Sequence, residues 1–247
     1  MQKQNYLRSR RLRVFGGPNG SGKSTILEQI VSKYRIGYYI NADDIEKQLK
    51  SAQSINLSDF GIHNFNRNSF QKLIQNHSLA KKARAEGYHI DLYFENQTIV
   101  NPDKNSHSYE AAFIADIVRQ ELLKSGKKFA YETVMSHSSK TEFLKLAKQS
   151  GYKNYLYYIS TESPLINIKR VKQRVKLGGH PVATKKIESR YYNSLRNLKP
   201  SVANTYRTFV FDNSGAKPIL ILEVFEGNEV TFYHNEIPHW VDDYLLK

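Results

Sequence analysis

The segment Gly17-Pro-Asn-Gly-Ser-Gly-Lys-Ser24 is a complete G-x-x-x-x-G-K-[ST] pattern. It stands between a short apolar run containing Leu12, Val14 and Phe15 and the helical pattern Thr25–Val31. Few backbone arrangements satisfy such a string. The glycines allow a tight strand-to-helix turn in which successive N–H groups and the positive end of the helix converge on an anion. A lysine at the seventh position reaches terminal phosphates, and the hydroxyl after it holds Mg²⁺. Gly17, Pro18, Asn19, Gly20, Ser21, Gly22, Lys23, Ser24 and Thr25 are therefore expected to bind the phosphates of a nucleoside triphosphate. Ser24 is the expected metal contact.

With 247 residues, 40% of them hydrophobic, the chain can bury a large α/β core. It has no cysteine, which excludes disulfides and thiolate metal sites and fits a reducing compartment. No stretch reaches the roughly 20 apolar residues that span a bilayer. The basic N-terminus has no apolar core after its charges, so a secretory signal is not expected. These features predict a cytoplasmic protein with no membrane partner. The 37 Lys and Arg against 23 Asp and Glu leave +14, which favours anionic partners. A nucleic-acid face and a merely solvated basic surface both satisfy that charge.

The periodicity alternates between strands and helices. Strands are expected at Leu12–Phe15, Ile36–Ile40, Lys128–Val134, Tyr152–Ser160, Tyr206–Asp212 and Pro218–Phe225, with Gly227-Asn228 turning a hairpin into Glu229–Tyr233. Helices are expected at Thr25–Val31, Ile45–Lys50, Tyr109–Ser125, Lys140–Gln149, from Ser163-Pro164 onward, and at Thr184–Leu198. Between them, Phe65–Glu86 has helical spacing and Tyr88–Phe94 alternates like a strand. The alternation predicts one α/β domain over residues 1–247, with a mostly parallel central sheet and helices on both faces. Its core would comprise 11–50 and 106–225, with an inserted substrate-side region at 51–105, a helical lid at about 164–198 and a C-terminal hairpin at 218–234. Ligands of such folds sit at the carboxyl ends of the strands.

Polar residues fall at those ends. Asp43 and Asp44 follow the second expected strand; a carboxylate there can take a proton from an attacking hydroxyl or order Mg²⁺, or simply cap the helix expected at Ile45. Glu132 and Thr133 end the next strand, where a Glu in an apolar run needs a partner. They could contact a substrate hydroxyl or form a structural pair. Arg170, Arg174 and Arg190 flank Gly178-Gly-His180, an arrangement that suits a hinged lid carrying arginines to a transferring phosphoryl group. It suits an ordinary solvated helix–turn–helix equally well. His180 itself reads as a surface histidine. No apolar run ends in the Asp-Glu pair of a hydrolytic ATPase.

The ordered set Gly17–Thr25, Asn41-Ala-Asp-Asp44, Phe129–Val134, Gly151-Tyr152, Arg174–His180, Ile187–Tyr192 and Phe211–Ser214 resembles the zeta-toxin-like P-loop kinases, including the branch labelled predicted ABC-type ATPases. The resemblance covers residues 12–45 and 108–214. It implies a P-loop NTPase fold and an ATP-dependent kinase acting on a hydroxyl, in the best-known members that of a UDP-activated N-acetyl amino sugar. It also implies toxin activity with an antitoxin partner. By that resemblance Asp43 is the general base, Lys23 and Ser24 hold phosphates and Mg²⁺, and Glu132 and Thr133 face the substrate, where Asp44 is also expected. Arg174 and Arg190 clamp the phosphoryl group, and Asp212 and Asn213 lie near the adenine. Two other readings stay open: a polynucleotide or protein kinase, suggested by the charge, and a nucleotide-dependent ATPase or switch with no phosphoryl acceptor.

Overall fold

The computed structural model describes residues 10–103, 108–179 and 181–247; the basic N-terminal residues 1–9 and His180 lie outside the described residues. In chain order the elements are β1 (Arg11–Gly16), α1 (Lys23–Val31), β2 (Tyr38–Ile40), α2 (Ala42–Ala52), β3 (Ser54–Asn56), α3 (Arg67–Asn76), α4 (Ser78–Ala85), β4 (Tyr93–Glu95), β5 (Thr98–Val100) and α5 (Ser108–Lys124). Then follow β6 (Phe129–Thr133), α6 (Ser139–Gln149), β7 (Lys153–Ser160), α7 (Pro164–Lys176), α8 (Thr184–Arg196), α9 (Leu198–Val202), β8 (Arg207–Asp212), β9 (Ile219–Phe225) and β10 (Glu229–Phe232). A short helical stretch begins at His239 and runs to Leu246. The chain forms two compact units. One holds the chain up to Ile36 and from Ala130 onward, and the other holds Gly37–Phe129.

In the first unit the strands lie in the order β10-β9-β8-β7-β1-β6. β1, β7 and β8 are mutually parallel, while β9 and β10 turn back antiparallel at the edge. The parallel strands read as near-continuous apolar runs because both their faces are covered: Leu12, Val14, Phe15, Leu156, Tyr158 and Ile159 are all buried. Register is pinned by a row of rings across three strands. Phe15 lies opposite Tyr157 and Tyr157 opposite Phe209. Their rings stack at 5.0 and 5.3 Å between centroids, and a slip of one residue would send every ring to the other face. β10, in contrast, is exposed along its length. Its Glu229 and Thr231 belong to a strand that ends the sheet, where polar side chains discourage further pairing.

Ser163 starts α7, its hydroxyl accepting the Leu165 N–H at 3.2 Å with Pro164 at the first helical position. Ile168 and Val171 of α7 pack with Ile187 of α8 and with Val182 between them. The helix expected to run to Leu198 stops at Arg196, and a separate short helix, α9, follows. The hairpin expected at Gly227-Asn228 forms, with Glu226 and Gly227 both in the left-handed region (φ 50° and 86°).

The second unit departs further from the periodicity. α2 begins at Ala42 rather than Ile45, because Asn41 caps it: its Oδ1 accepts the Asp43 N–H at 2.9 Å. The expected helix Phe65–Glu86 is two helices. His77 leaves helical geometry (ψ 138°) and starts α4, its Nδ1 accepting the Leu79 N–H at 3.2 Å. The other ring nitrogen meets Asp116 of α5 at 2.8 Å, so a contact distant in sequence makes the break. The expected strand Tyr88–Phe94 pairs only over Tyr93–Glu95. Its alternation records burial of Ile90, Leu92 and Phe94 rather than a ladder. β4 and β5 are joined by Asn96 and Gln97, both at positive φ (47° and 61°), the conformation that a two-residue hairpin turn needs. β3 completes a three-stranded antiparallel sheet in the order β3-β5-β4, and Phe65, Phe70, Phe94 and Phe113 pack edge and face in this unit's core.

Among the described residues no helix is long and apolar enough to cross a membrane. Asn154, buried on β7, donates from Nδ2 to the carbonyls of Leu144 at 2.7 Å and Asn204 at 2.9 Å. Asn154→Ala removes both bonds without adding any, and the expected loss is about 1–3 kcal/mol in urea unfolding. A loss below about 0.5 kcal/mol would show that these bonds do not help hold the first unit together.

Candidate functional site

The loop between β1 and α1 is built from backbone that only glycine accepts. Gly17, Gly20 and Gly22 have φ of 142°, 76° and 94°. A methyl group at Gly17 would strike the Ile159 carbonyl, at Gly20 the Asn167 carbonyl, and at Gly22 the Asn213 amide. The neighbours that forbid side chains also hold the loop in place. Asn167 of α7 donates from Nδ2 to the Asn19 carbonyl at 2.7 Å. Asn213, buried just past β8, donates to the Ser21 carbonyl at 2.8 Å. On the β6 side the Gly17 N–H donates to the Thr133 carbonyl at 3.2 Å. Asn19 Oδ1 and Ser21 Oγ are buried in the loop with no protein partner among the described residues.

Lys23, half-buried, folds back over this turn and donates from Nζ to the Gly17 and Pro18 carbonyls, both at 3.0 Å. These are neutral acceptors, and a phosphate oxygen replacing them makes a stronger, charge-assisted bond. Ser24 Oγ donates to Glu132 Oε1 at 3.5 Å, the long end of the range. A hydroxyl and a carboxylate at the mouth of the loop form the hard-oxygen set that Mg²⁺ takes. The loop and this pair fit a magnesium-bound triphosphate.

The structure therefore brings together Gly17–Ser24, Glu132, Thr133 and Asn213. Thr133 works close to the loop, its carbonyl on Gly17 and its Oγ1 accepting the Met135 N–H at 3.2 Å. Asp212 lies beside Asn213 but is engaged elsewhere. It accepts from the Ser214 N–H and Oγ, each at 2.9 Å, and from Trp240 Nε1 at 2.8 Å. Arg174 lies exposed near the end of α7, where its carbonyl accepts the Gly179 N–H at 3.0 Å. Arg190 is half-buried on α8. Arg170 reaches across from α7 to the Gly215 carbonyl at 3.1 Å. Asp43 and Asp44 belong to the second unit, exposed in the first turn of α2 near the positive end of that helix.

Sequence reasoning missed Asn167. The available signal was an asparagine in the interior of a helix, where it competes with the backbone and is disfavoured unless it bonds elsewhere. Its Oδ1 also accepts from the Thr161 hydroxyl. Thr161 is held in turn by Tyr191 of α8, whose hydroxyl donates to the Thr161 carbonyl at 2.6 Å. Burial, with Glu162 nearby, pushes the Tyr191 phenol well above its ordinary pKa, so it stays a donor across the physiological range.

Residues 97–235, more than half of the chain, match the family model described as Zeta toxin. That span includes Glu132, Thr133, Arg174, Arg190, Asp212 and Asn213 and begins after the phosphate loop and Asp43. A solved structure from the PezAT chromosomal toxin–antitoxin system of Streptococcus pneumoniae is 14% identical, covers 97% of this chain and 79% of that one, and superposes with a TM-score of 0.50. A complex of AvrRxo1-ORF1 with AvrRxo1-ORF2 and sulphate ions is 14% identical over 91% of this chain and 61% of that one, with a TM-score of 0.49. An uncharacterized protein of Haemophilus influenzae is 38% identical over 63 residues; the match takes in 26% of this chain and 45% of that relative's length.

Gly22→Ala places a methyl group against the Asn213 amide at a positive φ. The expected cost is about 1–3 kcal/mol of stability, and the affinity for ATP should fall about tenfold or more as the loop shifts. Urea unfolding and ATP titration check both. Full ATP affinity in a folded variant would contradict the requirement for a glycine there.

Proposed function

The chain belongs to the zeta toxin family, and we propose that it is a kinase that transfers the γ-phosphoryl group of ATP to a hydroxyl of a small acceptor, a UDP-N-acetyl amino sugar. The observation that carries this reading is the braced phosphate loop, with Lys23 on its mouth and Ser24 against Glu132. The loop N–H groups and the start of α1 bind the phosphates. Lys23 exchanges its two backbone carbonyls for phosphate oxygens. Ser24, with Glu132 beside it, would hold Mg²⁺, which would supply positive charge against the phosphates.

Asp43 is the proposed general base, taking the proton of the acceptor hydroxyl as its oxygen attacks the γ-phosphorus. The new O–P bond forms as the bond to the β–γ bridging oxygen breaks, and ADP leaves. Arg174 and Arg190 bind the charge that spreads over the transferring group, while Asp44 and Thr133 face the acceptor; Glu132, expected on the substrate side, is assigned here to the metal through its contact with Ser24. Asp212 and Asn213 belong to the ATP side of the site. An antitoxin protein is the proposed partner. The PezAT system, a structural relative in fold, is named as a toxin–antitoxin system.

Transfer from γ-³²P-ATP to UDP-sugars, RNA ends and a cell extract tests this reading, with Lys23→Ala as control. A labelled UDP-sugar that disappears in the control is expected. Labelled RNA would move the acceptor to nucleic acid, and free phosphate alone would indicate an ATPase or switch. Asp43→Asn should lower kcat by about 10²–10⁴ with ATP affinity nearly unchanged. An equal loss of ATP affinity would remove Asp43 from the role of base.

A further inference from the structure

At the amino ends of the parallel strands, opposite the phosphate loop, the register of the sheet sets cations and rings in alternation. Side chains alternate along a strand, so Arg11, Arg13 and Phe15 share one face of β1. On that face Arg13 lies beside Tyr155 of β7, Tyr155 beside Arg207 of β8, and Arg207 beside Phe225 of β9. The row therefore reads cation, ring, cation, ring across four strands. Nearer the strand ends, Arg11 lies beside Lys153. The contacts repeat this order: the Arg13 guanidinium stands 5.2 Å from the Tyr155 centroid, and that of Arg207 stands 5.2 Å from Phe225. Tyr206, at the mouth of β8, lies 5.6 Å from Tyr155 and 5.2 Å from Phe225, with Lys153 Nζ 4.2 Å from its centroid.

This face meets solvent. On the opposite face Leu156, Tyr158, Thr208 and Val210 are fully buried, whereas Tyr155, Tyr206, Arg207 and Phe225 are half-buried and Lys153 is exposed. Arg13 is buried, only 4% exposed, between the rings of Tyr34 and Tyr155. The Tyr157 hydroxyl accepts from it. Its Nε and Nη1 have no acceptor among the described residues, and neither has Arg11 Nε. Buried guanidinium N–H groups left without an acceptor are costly, and an anion arriving beside Tyr34 would supply one.

The charge around the row is of one sign. Tyr34, 53% exposed, stands between Lys33 and Arg35, both exposed, and Arg10 is exposed at the start of β1. Against these stand Glu223 and Glu226. Glu223 is already taken by Arg207 at 2.5 Å and by the Tyr233 hydroxyl at 3.2 Å. A single nucleic-acid strand matches this pattern, since it offers a phosphate to each cation and a flat base to each ring. A duplex hides its base faces, and an acidic peptide leaves the rings unused. Cations resting on solvent-facing rings are held weakly, so phosphates can draw them off and free the ring faces for bases.

We propose that this face of β1, β7, β8 and β9 is a docking surface for a single-stranded polynucleotide. Arg11 lies about 17 Å from Gly16 along β1, at roughly 3.3 Å per residue, so the surface is separate from the phosphate loop. It does not depend on the kinase reading. It gives the net charge of +14 a partner that the proposed reaction leaves without one.

Fluorescence anisotropy with labelled oligo(U) and oligo(dT) of about 15 nucleotides, a duplex of the same length and a polyglutamate competitor tests the proposal on the full chain. The variants are Lys153→Glu and Tyr206→Leu, the latter keeping apolar bulk while losing the flat ring. Tyr34→Leu, at an exposed position, serves if Tyr206→Leu does not fold. The wild type should bind a single strand, with affinity falling about tenfold or more between about 50 and 200 mM salt. Each variant should weaken that binding about fivefold or more and keep its ATP affinity within about twofold. A preference for oligo(U) or oligo(dT) names the strand as RNA or DNA, and either supports the surface. No binding at the lower salt overturns the proposal. So does binding that neither the charge nor the ring variants weaken, a duplex held as tightly as the single strand, or equal displacement by polyglutamate. Displacement by saturating ATP would put the strand on the phosphate loop and also overturn it. Strand binding is read without nucleotide, so an absence of phosphoryl transfer would overturn the kinase reading and leave this one standing.

Discussion

A phosphate loop binds with its backbone, so its N–H groups must be aimed before the ligand arrives. In this chain the aim is set by amide side chains from outside the loop. Asn167 holds the Asn19 carbonyl and Asn213 holds the Ser21 carbonyl. Each bond fixes a loop carbonyl, while the Thr133 carbonyl holds the Gly17 N–H from the β6 side. Much of the first unit can be understood from this constraint. β7 and β8 must be parallel to β1 for their trailing turns to arrive beside the loop, and the stacked row Phe15–Tyr157–Phe209 keeps the three in register.

The braces also make the surrounding elements parts of one device. Asn167 sits near the start of α7, so a displacement of that helix is felt at Asn19 as well as at Arg174 farther along. Tyr191 joins α8 to the same turn through the Thr161 carbonyl, and its raised pKa keeps the hydroxyl protonated as a donor. Asn213 links the loop to β8, and Asp212 next to it passes the connection to Trp240. A chain of hydrogen bonds thus runs from the phosphate loop to the C-terminal segment, with no step depending on an exposed ion pair. Exposed ion pairs contribute little and weaken with salt, whereas buried amide bonds are insensitive to it.

Much of this was legible in the sequence, for identifiable reasons. The phosphate loop is a local device whose glycines, lysine and hydroxyl must occur at fixed spacing, so Gly17–Ser24 could be read directly. Strands buried on both faces show as apolar runs, which revealed β1, β6, β7 and β8 nearly to the residue. Ser163-Pro164 marked the start of α7 by capping chemistry alone. What failed depended on partners far away in the chain. His77 breaks a helix because Asp116 holds its ring, and the apparent strand at Tyr88–Phe94 alternates because one side is buried. Asn96-Gln97 turns a hairpin with residues that carry a weaker turn signal than Asn-Gly. Glu132 could be read as needing a partner, but only the fold shows that Ser24 is in contact with it. Asn167 offered only the weak signal of an amide inside a helix, and neither it nor Asn213 could be matched to a partner 148 or 192 residues away.

The measurement that bears most directly on the central claim is a crystal structure of the protein with Mg²⁺ and a non-hydrolysable ATP analogue. The account predicts the β- and γ-phosphates on N–H groups between Asn19 and Ser24 and Lys23 Nζ moved from the Gly17 and Pro18 carbonyls onto phosphate oxygens. It also predicts the metal between Ser24 and Glu132, with the Asn167 and Asn213 bonds unchanged. An analogue bound elsewhere, with Lys23 still on its own loop, would contradict it.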